Sequence, residues 1–285
     1  MLKKCILAKK RIMYKISEIL SYITDIAPLY WQEAYDNCGL VIGDANAMID
    51  KVLIAVDITE EVIDEAIENS YHLIISHHPL IFKGIKNILS DNTLGRIIVK
   101  AVKNDIAIAA MHTNLDNSFF GVNRILAEKL GLKQLRILHS NNDFISTGIN
   151  INSEILQVGS GMIGVFEEAM SETDFLCHLK KTLNIDVLRH SKLLNKSIKT
   201  VALCGGAGSF LINDAKHCKA DVYITADMKY HDFFDADNEI LLVDAGHFET
   251  EQFTKELIAD IISKKNPKFA VKISSVKTNS VHYFV

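Results

Sequence analysis

The run YHLIISHHP at residues 71–79 decides the fold class of this chain. Its first six residues form a mostly apolar stretch, and two histidines and a proline end it. A short, almost continuous apolar run with polar residues at its end is typical of a strand that is buried on both faces, as in parallel sheets covered by helices. We therefore expect an α/β protein.

The segments on both sides of this run alternate in the same way between apolar strands and amphipathic helices. Such alternation favours a mainly parallel sheet with helices packed on it. The predicted elements are, in chain order, a helix from Ile16 that ends at Pro28, a strand at 51–57 (KVLIAVD), a helix at 59–70 capped by Thr59, the strand at 71–76, a helix at 93–104, a strand at 106–111 (IAIAAM) and a helix at 121–130.

The pattern changes after Gly131 and later returns. A glycine-bearing run at 159–164 is followed by a predicted helix up to Leu183 and by strands at 200–204, 221–225 and 239–244. We therefore predict two α/β lobes with mainly parallel sheets. The predicted divisions are a basic N-terminal extension at 1–15, an N-terminal lobe at 16–130, and a middle segment with a C-terminal lobe at 131–285. Met13 is an alternative start under this interpretation.

Composition excludes several function classes. The chain has 285 residues, of which 48% are hydrophobic and 23% charged, and this is typical of a globular protein rather than a disordered one. The net charge of −4 gives no basic field, so a nucleic-acid partner is not expected. No apolar run reaches the ~18 residues that span a bilayer. The five cysteines form no Cys-x-x-Cys pair, which predicts reduced thiols and a cytoplasmic location.

Three of the predicted strands end in residue types that bind metal ions. Because open α/β sheets bind ligands at the carboxyl ends of their strands, we expect these loops to meet. The residues concerned are His77 and His78 after the first strand, His112 and Asp116 after the second, and His247 and Glu251 after the third.

The arrangement of these residues favours two metal ions. Consecutive side chains near a strand end point in divergent directions, so His77 and His78 suit two ions better than one. His247 and Glu251 lie four residues apart and share one helix face. Five ligands, with Asp116 the fifth, saturate two ions only if a carboxylate bridges, and Glu251 is the natural bridge. Imidazole and carboxylate ligands suit divalent Zn, Fe, Mn or Co, and these ligand types do not identify which of the four metals binds.

The role of His112 stays open at this point, because it suits a ligand, a support for a ligand or a proton carrier equally well. A further glycine-rich stretch, containing Gly205, Gly206 and Gly208, follows a predicted strand. Its backbone N–H groups could hold a phosphate, although a tight turn also needs glycine for steric reasons.

Six motifs in this order resemble the GTP cyclohydrolase I type 2 family, also called the interacting-factor-three-like dinuclear metal proteins, in its short form. The resemblance covers the chain from about Ile16 to its end. The motifs are DNCGL at 36–40 with Gly43, SHHP at 76–79, HTNLD at 112–116, CGGAGS at 204–209, TADMKYH at 225–231 and GHFETE at 246–251.

The resemblance implies a dinuclear site between two lobes and assembly into a toroidal homohexamer. It implies that one metal is held by His77, Asp116 and Glu251, and the other by His78, His247 and Glu251.

The resemblance also implies a reaction, in which water attacks the guanine ring of GTP. In this interpretation His112 or His231 moves protons, and Lys229 contacts a small-molecule substrate, with a nucleotide as the leading class. Two alternatives stay open. One is a two-metal phosphoester or nucleotide hydrolase, and the other is a non-catalytic metal-binding ring that acts as a scaffold.

Overall fold

The computed structural model describes residues 12–141, 150–151, 154–155 and 158–284. Most of the predicted basic extension, residues 1–11, lies outside this range.

The described elements alternate between strands and helices along most of the chain. The first half contains β1 (Tyr14–Lys15), α1 (Ile16–Thr24), β2 (Gly39–Ile42), β3 (Met48–Ile49), β4 (Lys51–Ala55), α2 (Glu60–Glu68), β5 (Leu73–Ser76), α3 (Thr93–Lys103), β6 (Ala107–Ala110), α4 (Thr113–Asp116) and α5 (Val122–Lys129). The second half contains β7 (Lys133–Ser140), β8 (Asn150–Ile151), β9 (Glu154–Ile155), β10 (Gly159–Ser171), α6 (Glu172–Leu183), β11 (Arg189–His190), β12 (Ser197–Ala207), α7 (Ile212–His217), β13 (Val222–Ala226), β14 (Leu241–Asp244), α8 (His247–Glu251), α9 (Thr254–Lys265) and β15 (Ala270–Ile273).

The first sheet has the strand order β15-β4-β5-β6-β2. Only β2 runs antiparallel to its neighbour, so the prediction of a mainly parallel sheet is confirmed here. The C-terminal part of the chain returns to this sheet, because β15 pairs with β4. Helix α9 returns with it, and its Ile258 and Ile262 pack in one core with Ile16 and Ile19 of α1. The first lobe is therefore built from both ends of the chain, and not from residues 16–130 alone.

The second sheet has the order β11-β14-β13-β12-β10-β7 and is mixed. Strands β12, β13 and β14 are parallel, as predicted, whereas β7, β10 and β11 pair antiparallel. Strand β7 buries Ile137 and Leu138 but exposes most of its other residues, as antiparallel edge strands do. The expectation of a mainly parallel second sheet thus holds only for its three central strands.

Side-chain caps fix the start of several helices, and the cap of α2 is the predicted Thr59. Thr59 Oγ1 accepts a hydrogen bond from the Val62 N–H at the start of α2. Ser171 Oγ accepts one from the Asp174 N–H at the start of α6. Each cap satisfies a backbone donor that the helix cannot satisfy itself.

Helix α5 joins the two lobes. Its Val122 packs in the core of the first lobe, while Leu126 and Ala127 pack in the core of the second. The carboxyl ends of β5, β6 and β14 consequently meet between the lobes. Within the described ranges, no helix is both long and apolar enough to cross a membrane.

Candidate metal centre

The loops after β5, β6 and β14 bring histidines and carboxylates from both lobes into one cluster. Three overlapping groups have possible ligand atoms within 4.8 Å of one another: His77, His78 and His112; His78, His247 and Glu251; and His77, Asp116 and Glu251. The last two are the ligand sets that the resemblance implies, and the structure brings both together.

His77 is the deepest member of the cluster and is fully buried. Its Nδ1 lies 2.9 Å from the Met111 carbonyl oxygen. Its Nε2 lies 3.7 Å from Asp116 Oδ1 and 3.6 Å from Glu251 Oε2, and has no hydrogen-bond partner among the described residues. A buried nitrogen without a partner needs an explanation, and a metal ion between these groups would supply one.

His78 and His247 meet at the same carboxylate. Their Nε2 atoms lie 2.9 and 3.0 Å from Glu251 Oε2, and 3.2 Å from each other. One carboxylate oxygen therefore faces the Nε2 atoms of three histidines, as a bridge between two ions requires. The donor set fits divalent transition metals, since it consists of imidazoles and carboxylates.

Each of the four histidines is held through Nδ1 by an acceptor outside the cluster. Metal-binding histidines usually donate this second N–H to a carboxylate or carbonyl, which fixes the ring and its tautomer. Besides the Met111 carbonyl, the acceptors are Asp57 Oδ1 at 2.6 Å from His78, Asp227 Oδ2 at 2.7 Å from His247, and both Asp36 oxygens at 2.9 Å from His112.

The sequence alone assigned no role to any of these three carboxylates. Asp57 was only the last residue of a predicted strand, and Asp36 and Asp227 were only members of motifs. Asp57 follows β4 and Asp227 follows β13, so both carried the signal used for the ligands, a carboxylate just after a parallel strand.

The electrostatics of the metal-free cluster favour protonated histidines. Burial lowers the pKa of His78, but the Asp57 and Glu251 carboxylates outweigh it and raise that pKa to about 10. Against the same effect of burial, Glu251 and Asp227 raise the pKa of His247 to about 9. Burial raises the pKa of Glu251, but His77 and the other histidines hold it well below its usual value. The carboxylates thus attract positive charge to the place where metal ions would lie.

Of the two roles left open for the glycine-rich stretch, phosphate binding and a steric requirement for glycine, the structure favours the steric one. Gly205 and Gly206 lie within β12, and their N–H groups donate to Asn123 Oδ1 and Thr250 Oγ1 at 2.9 and 3.0 Å. These two N–H groups are therefore not free to bind a phosphate. A Cβ on Gly206 would lie 2.2 Å from Glu251 Oε1, and one on Gly208 would lie 2.8 Å from the Tyr223 hydroxyl. The glycines make room for the cluster and for close packing beside it.

The structure does not bring His231 or Lys229 to the cluster within one chain. The His231 ring contacts those of Tyr230 and Phe234, with centroids 5.2 and 6.1 Å away, and the Lys229 N–H donates to Asp232. Neither residue lines the cavity beside the cluster.

That cavity has a volume of about 610 Å³ and is walled by residues of both lobes, including His78, His112, Asp116 and Glu251. Three largely exposed aromatic rings also line it, those of Tyr35, Phe82 and Phe210. Its volume lies within the range of sites that enclose small molecules. The cluster can therefore act on a ligand held beside it.

Comparison with known proteins agrees with this arrangement. The family model described as Duf34/NIF3 (NGG1p interacting factor 3) matches residues 14–280. A "GTP cyclohydrolase 1 type 2 homolog" of Clostridium perfringens is 37% identical over 238 residues, which cover 83% of this chain and 87% of that protein. One of Campylobacter jejuni is 35% identical over 276 residues, covering 95% of this chain and 100% of its own length. The crystal structure of a Bacillus cereus protein related to NIF3 has a TM-score of 0.86 at 28% identity and covers 95% of this chain and 99% of its own. With the family model matching almost the whole chain, this protein belongs to the Duf34/NIF3 family.

Proposed function

We propose that the protein is a hydrolase that depends on two divalent transition metal ions. The observation that carries the proposal is the position of Glu251 Oε2, which faces the Nε2 atoms of His77, His78 and His247 at 3.6, 2.9 and 3.0 Å. When bound here, two such ions would supply water activated near neutral pH and polarisation of the substrate.

In this proposal, some residues are metal ligands and others orient those ligands. One ion would be held by His77, Asp116 and Glu251, and the other by His78, His247 and Glu251. The carboxylates of Asp57 and Asp227 keep the His78 and His247 rings oriented, because each accepts the hydrogen bond of Nδ1.

The proposed substrate is GTP, and the support for it is the name of the relatives, "GTP cyclohydrolase 1 type 2 homolog". Opening the guanine imidazole ring requires the addition of water at C8 and proton transfer to the ring nitrogen that leaves. Release of formate then requires a second water, which hydrolyses the resulting formamide, and a proton for the second nitrogen. The proposal assigns the transfer of these protons to His112, and the support is that His112 lines the cavity and that Asp36 holds its Nδ1. No described ion pair joins His112 to Asp116 or Glu251, which favours this role over that of a ligand.

The test is the product formed from GTP by metal-loaded protein. Formate release that depends on metal and is lost in Glu251→Gln is the expected result. Release of phosphate without formate would instead indicate a phosphoester hydrolase. Metal-loaded protein that is inert towards a panel of nucleotides would indicate the scaffold function.

We also propose that the subunits assemble into a homohexameric ring in the cytoplasm. The family resemblance supports the ring, and the cytoplasmic location is supported by the cysteines. The four cysteines of the described ranges, Cys38, Cys177, Cys204 and Cys218, are free thiols, as a reducing compartment would keep them.

A further inference from the structure

The cavity beside the cluster has a carboxylate in its wall that belongs to neither ligand set. Glu33 lines this cavity together with His112, Asp116 and Glu251. We propose that Glu33 is a specificity residue that accepts hydrogen bonds from two adjacent N–H donors on the planar ring of the substrate, as found in guanine. This inference rests on the proposed function, because it assigns the recognition of the base at the same site.

The backbone of Glu33 is fixed relative to the cluster. Its N–H donates to Thr113 Oγ1 at 2.9 Å. The Thr113 hydroxyl donates to Asp36, which also holds the His112 ring. A short chain of hydrogen bonds therefore sets the position of Glu33 against that of the proposed proton carrier.

One oxygen of the Glu33 carboxylate has a hydrogen-bond partner, and the other is available to a ligand. Its Oε1 accepts a hydrogen bond from Asn117 Nδ2 at 3.1 Å. Asn117 is only 3% exposed, and its amide also bonds to the Trp31 carbonyl and the Ser160 hydroxyl, so it is a rigid support. Among the residues that the structure describes, no donor or cation meets Glu33 Oε2. An ionised carboxylate has about four lone-pair sites and no donor, so this group suits a ligand that brings N–H groups.

The rest of the wall suits a flat ring. Tyr35, Phe82 and Phe210 line the cavity with side chains that are 71%, 50% and 67% exposed. Phe82 lies edge-on to His112, with ring centroids 5.7 Å apart. Aromatic rings stack on any nucleobase and do not choose among bases, so selectivity must come from a polar group such as Glu33.

Guanine meets these requirements in both chemistry and direction. Its N1–H and the adjacent amino group at C2 form a pair of donors that one carboxylate can accept. Adenine offers an acceptor at N1, and hypoxanthine has the N1–H but lacks the amino group. In a purine this edge lies at the opposite end from C8, so a base held by Glu33 on one wall directs C8 away from that wall, into the cavity that the cluster shares.

The experiment measures nucleotide binding, separately from turnover. GTP, ITP and ATP are titrated into metal-loaded parent protein, Glu33→Gln and the matched control Glu168→Gln, whose exposed side chain lies on β10 outside the cavity. Metal content and melting temperature are measured for each. A glutamine can keep the contact with Asn117 but turns an N–H₂ group towards the ligand. We expect the parent to bind GTP more tightly than ITP, and ITP more tightly than ATP, and Glu33→Gln to lose about 10- to 100-fold in GTP affinity with its metal content unchanged.

Equal affinities of the parent for the three nucleotides would overturn the inference, and so would a preference for GTP that survives in Glu33→Gln. The comparison of ligands on the parent protein tests the inference even if the variant does not fold, and Glu33→Asp, which keeps the carboxylate, should retain the order of preference. Guanine-selective binding without formate release would remove the proposed reaction and leave the role of Glu33. Formate release together with an unchanged order of nucleotide affinities in Glu33→Gln would support the proposed reaction and remove the role of Glu33.

Discussion

The Nε2 atom of His78 lies 2.9 Å from Glu251 Oε2, and this contact joins the end of β5 in the first lobe to α8 of the second. Neither lobe alone contains a complete ligand set, because His78 and Glu251 come from different sheets. Any change that moves the lobes apart should therefore separate the ligands of the candidate metal site before it unfolds either core.

Glu251→Gln should retain less metal than any variant that lacks a single histidine ligand. A neutral amide cannot bridge two cations as a carboxylate does, so we expect Glu251→Gln to bind both ions more weakly. His247→Gln should weaken the binding of only one ion. Elemental analysis after dialysis measures the ions retained per chain. The control is Glu256→Gln, because Glu256 pairs with Lys129 at the surface. Parent-like metal content in Glu251→Gln would remove this residue from the site.

The stability of metal-free protein should fall as the pH rises from about 7 to about 10. The pKa of His78 is raised to about 10 and that of His247 to about 9, above the ~6.5 of an unfolded chain. A raised pKa contributes stability that is full below the unfolded value and is lost as the pH rises through the folded value. Melting temperatures of metal-free protein across this range measure the effect.

The double variant His78→Gln/His247→Gln is the control for other groups that titrate in the same range. Its melting temperature should change less between pH 7 and 10 than that of the parent. An equal decline in both proteins would show that these two histidines do not carry the protons.

His112→Gln separates a proton carrier from a ligand. If His112 moves protons, this variant should keep nearly all of its metal and lose about 10²–10⁴-fold in hydrolytic rate. His78→Gln should lose metal and activity together. Parallel loss of metal in both variants would make His112 a ligand, as its proximity to His77 and His78 also permits. Unchanged activity in His112→Gln would show that His112 is not the proton carrier.

Thr278→Val should weaken metal binding although Thr278 lies outside the cluster. Its hydroxyl donates to Asp57 Oδ2 at 2.6 Å, and Asp57 Oδ1 holds the His78 ring. Loss of such a support typically lowers metal affinity about 10- to 100-fold. Competition with a chelator measures the affinity. Thr24→Val is the matched control, since the Thr24 hydroxyl donates to the Ser21 carbonyl of its own helix and has no other hydrogen bond among the described residues. Equal affinities in the two variants would show that Thr278 does not support the site.

The assembly prediction is tested by light scattering coupled to size-exclusion chromatography. We expect a hexamer of the 31.9 kDa chain. Exposed aromatic side chains such as Tyr230 and Phe234, at 73% and 67% exposure, are typical of surfaces that another subunit covers. A monomer at every concentration would contradict the ring and any scaffold function that depends on it.

The sequence was sufficient for the parallel part of the fold, and the reason is visible in β4, β5 and β6. Each is buried along nearly its whole length, so its apolar run is continuous and easily recognised. Strand β10 was harder to predict, because 13 residues with several glycines and a bulge show no clean periodicity. The return of β15 to the first sheet could not be foreseen, since a four-residue strand carries no signal about its partner.

The ligands of the candidate site were easier to predict than the carboxylates that hold their rings. His77, His78, His112, Asp116, His247 and Glu251 stand out because metal-binding residue types follow buried strands and recur in three loops. Asp57 and Asp227 also follow buried strands, but their contacts with histidine rings depend on side-chain directions that only the folded structure fixes. The role of the glycines stayed open because the space that Gly206 leaves for Glu251 is a property of the contact between β12 and α8, which no local pattern records.

Anomalous scattering from crystals of the metal-loaded protein tests the two-metal site most directly. We predict two peaks roughly 3.5–4 Å apart, as in other two-metal hydrolytic sites, with the Glu251 carboxylate between them. One peak should lie beside His77 and Asp116, and the other beside His78 and His247. A single peak, or two peaks that share no carboxylate, would contradict the account.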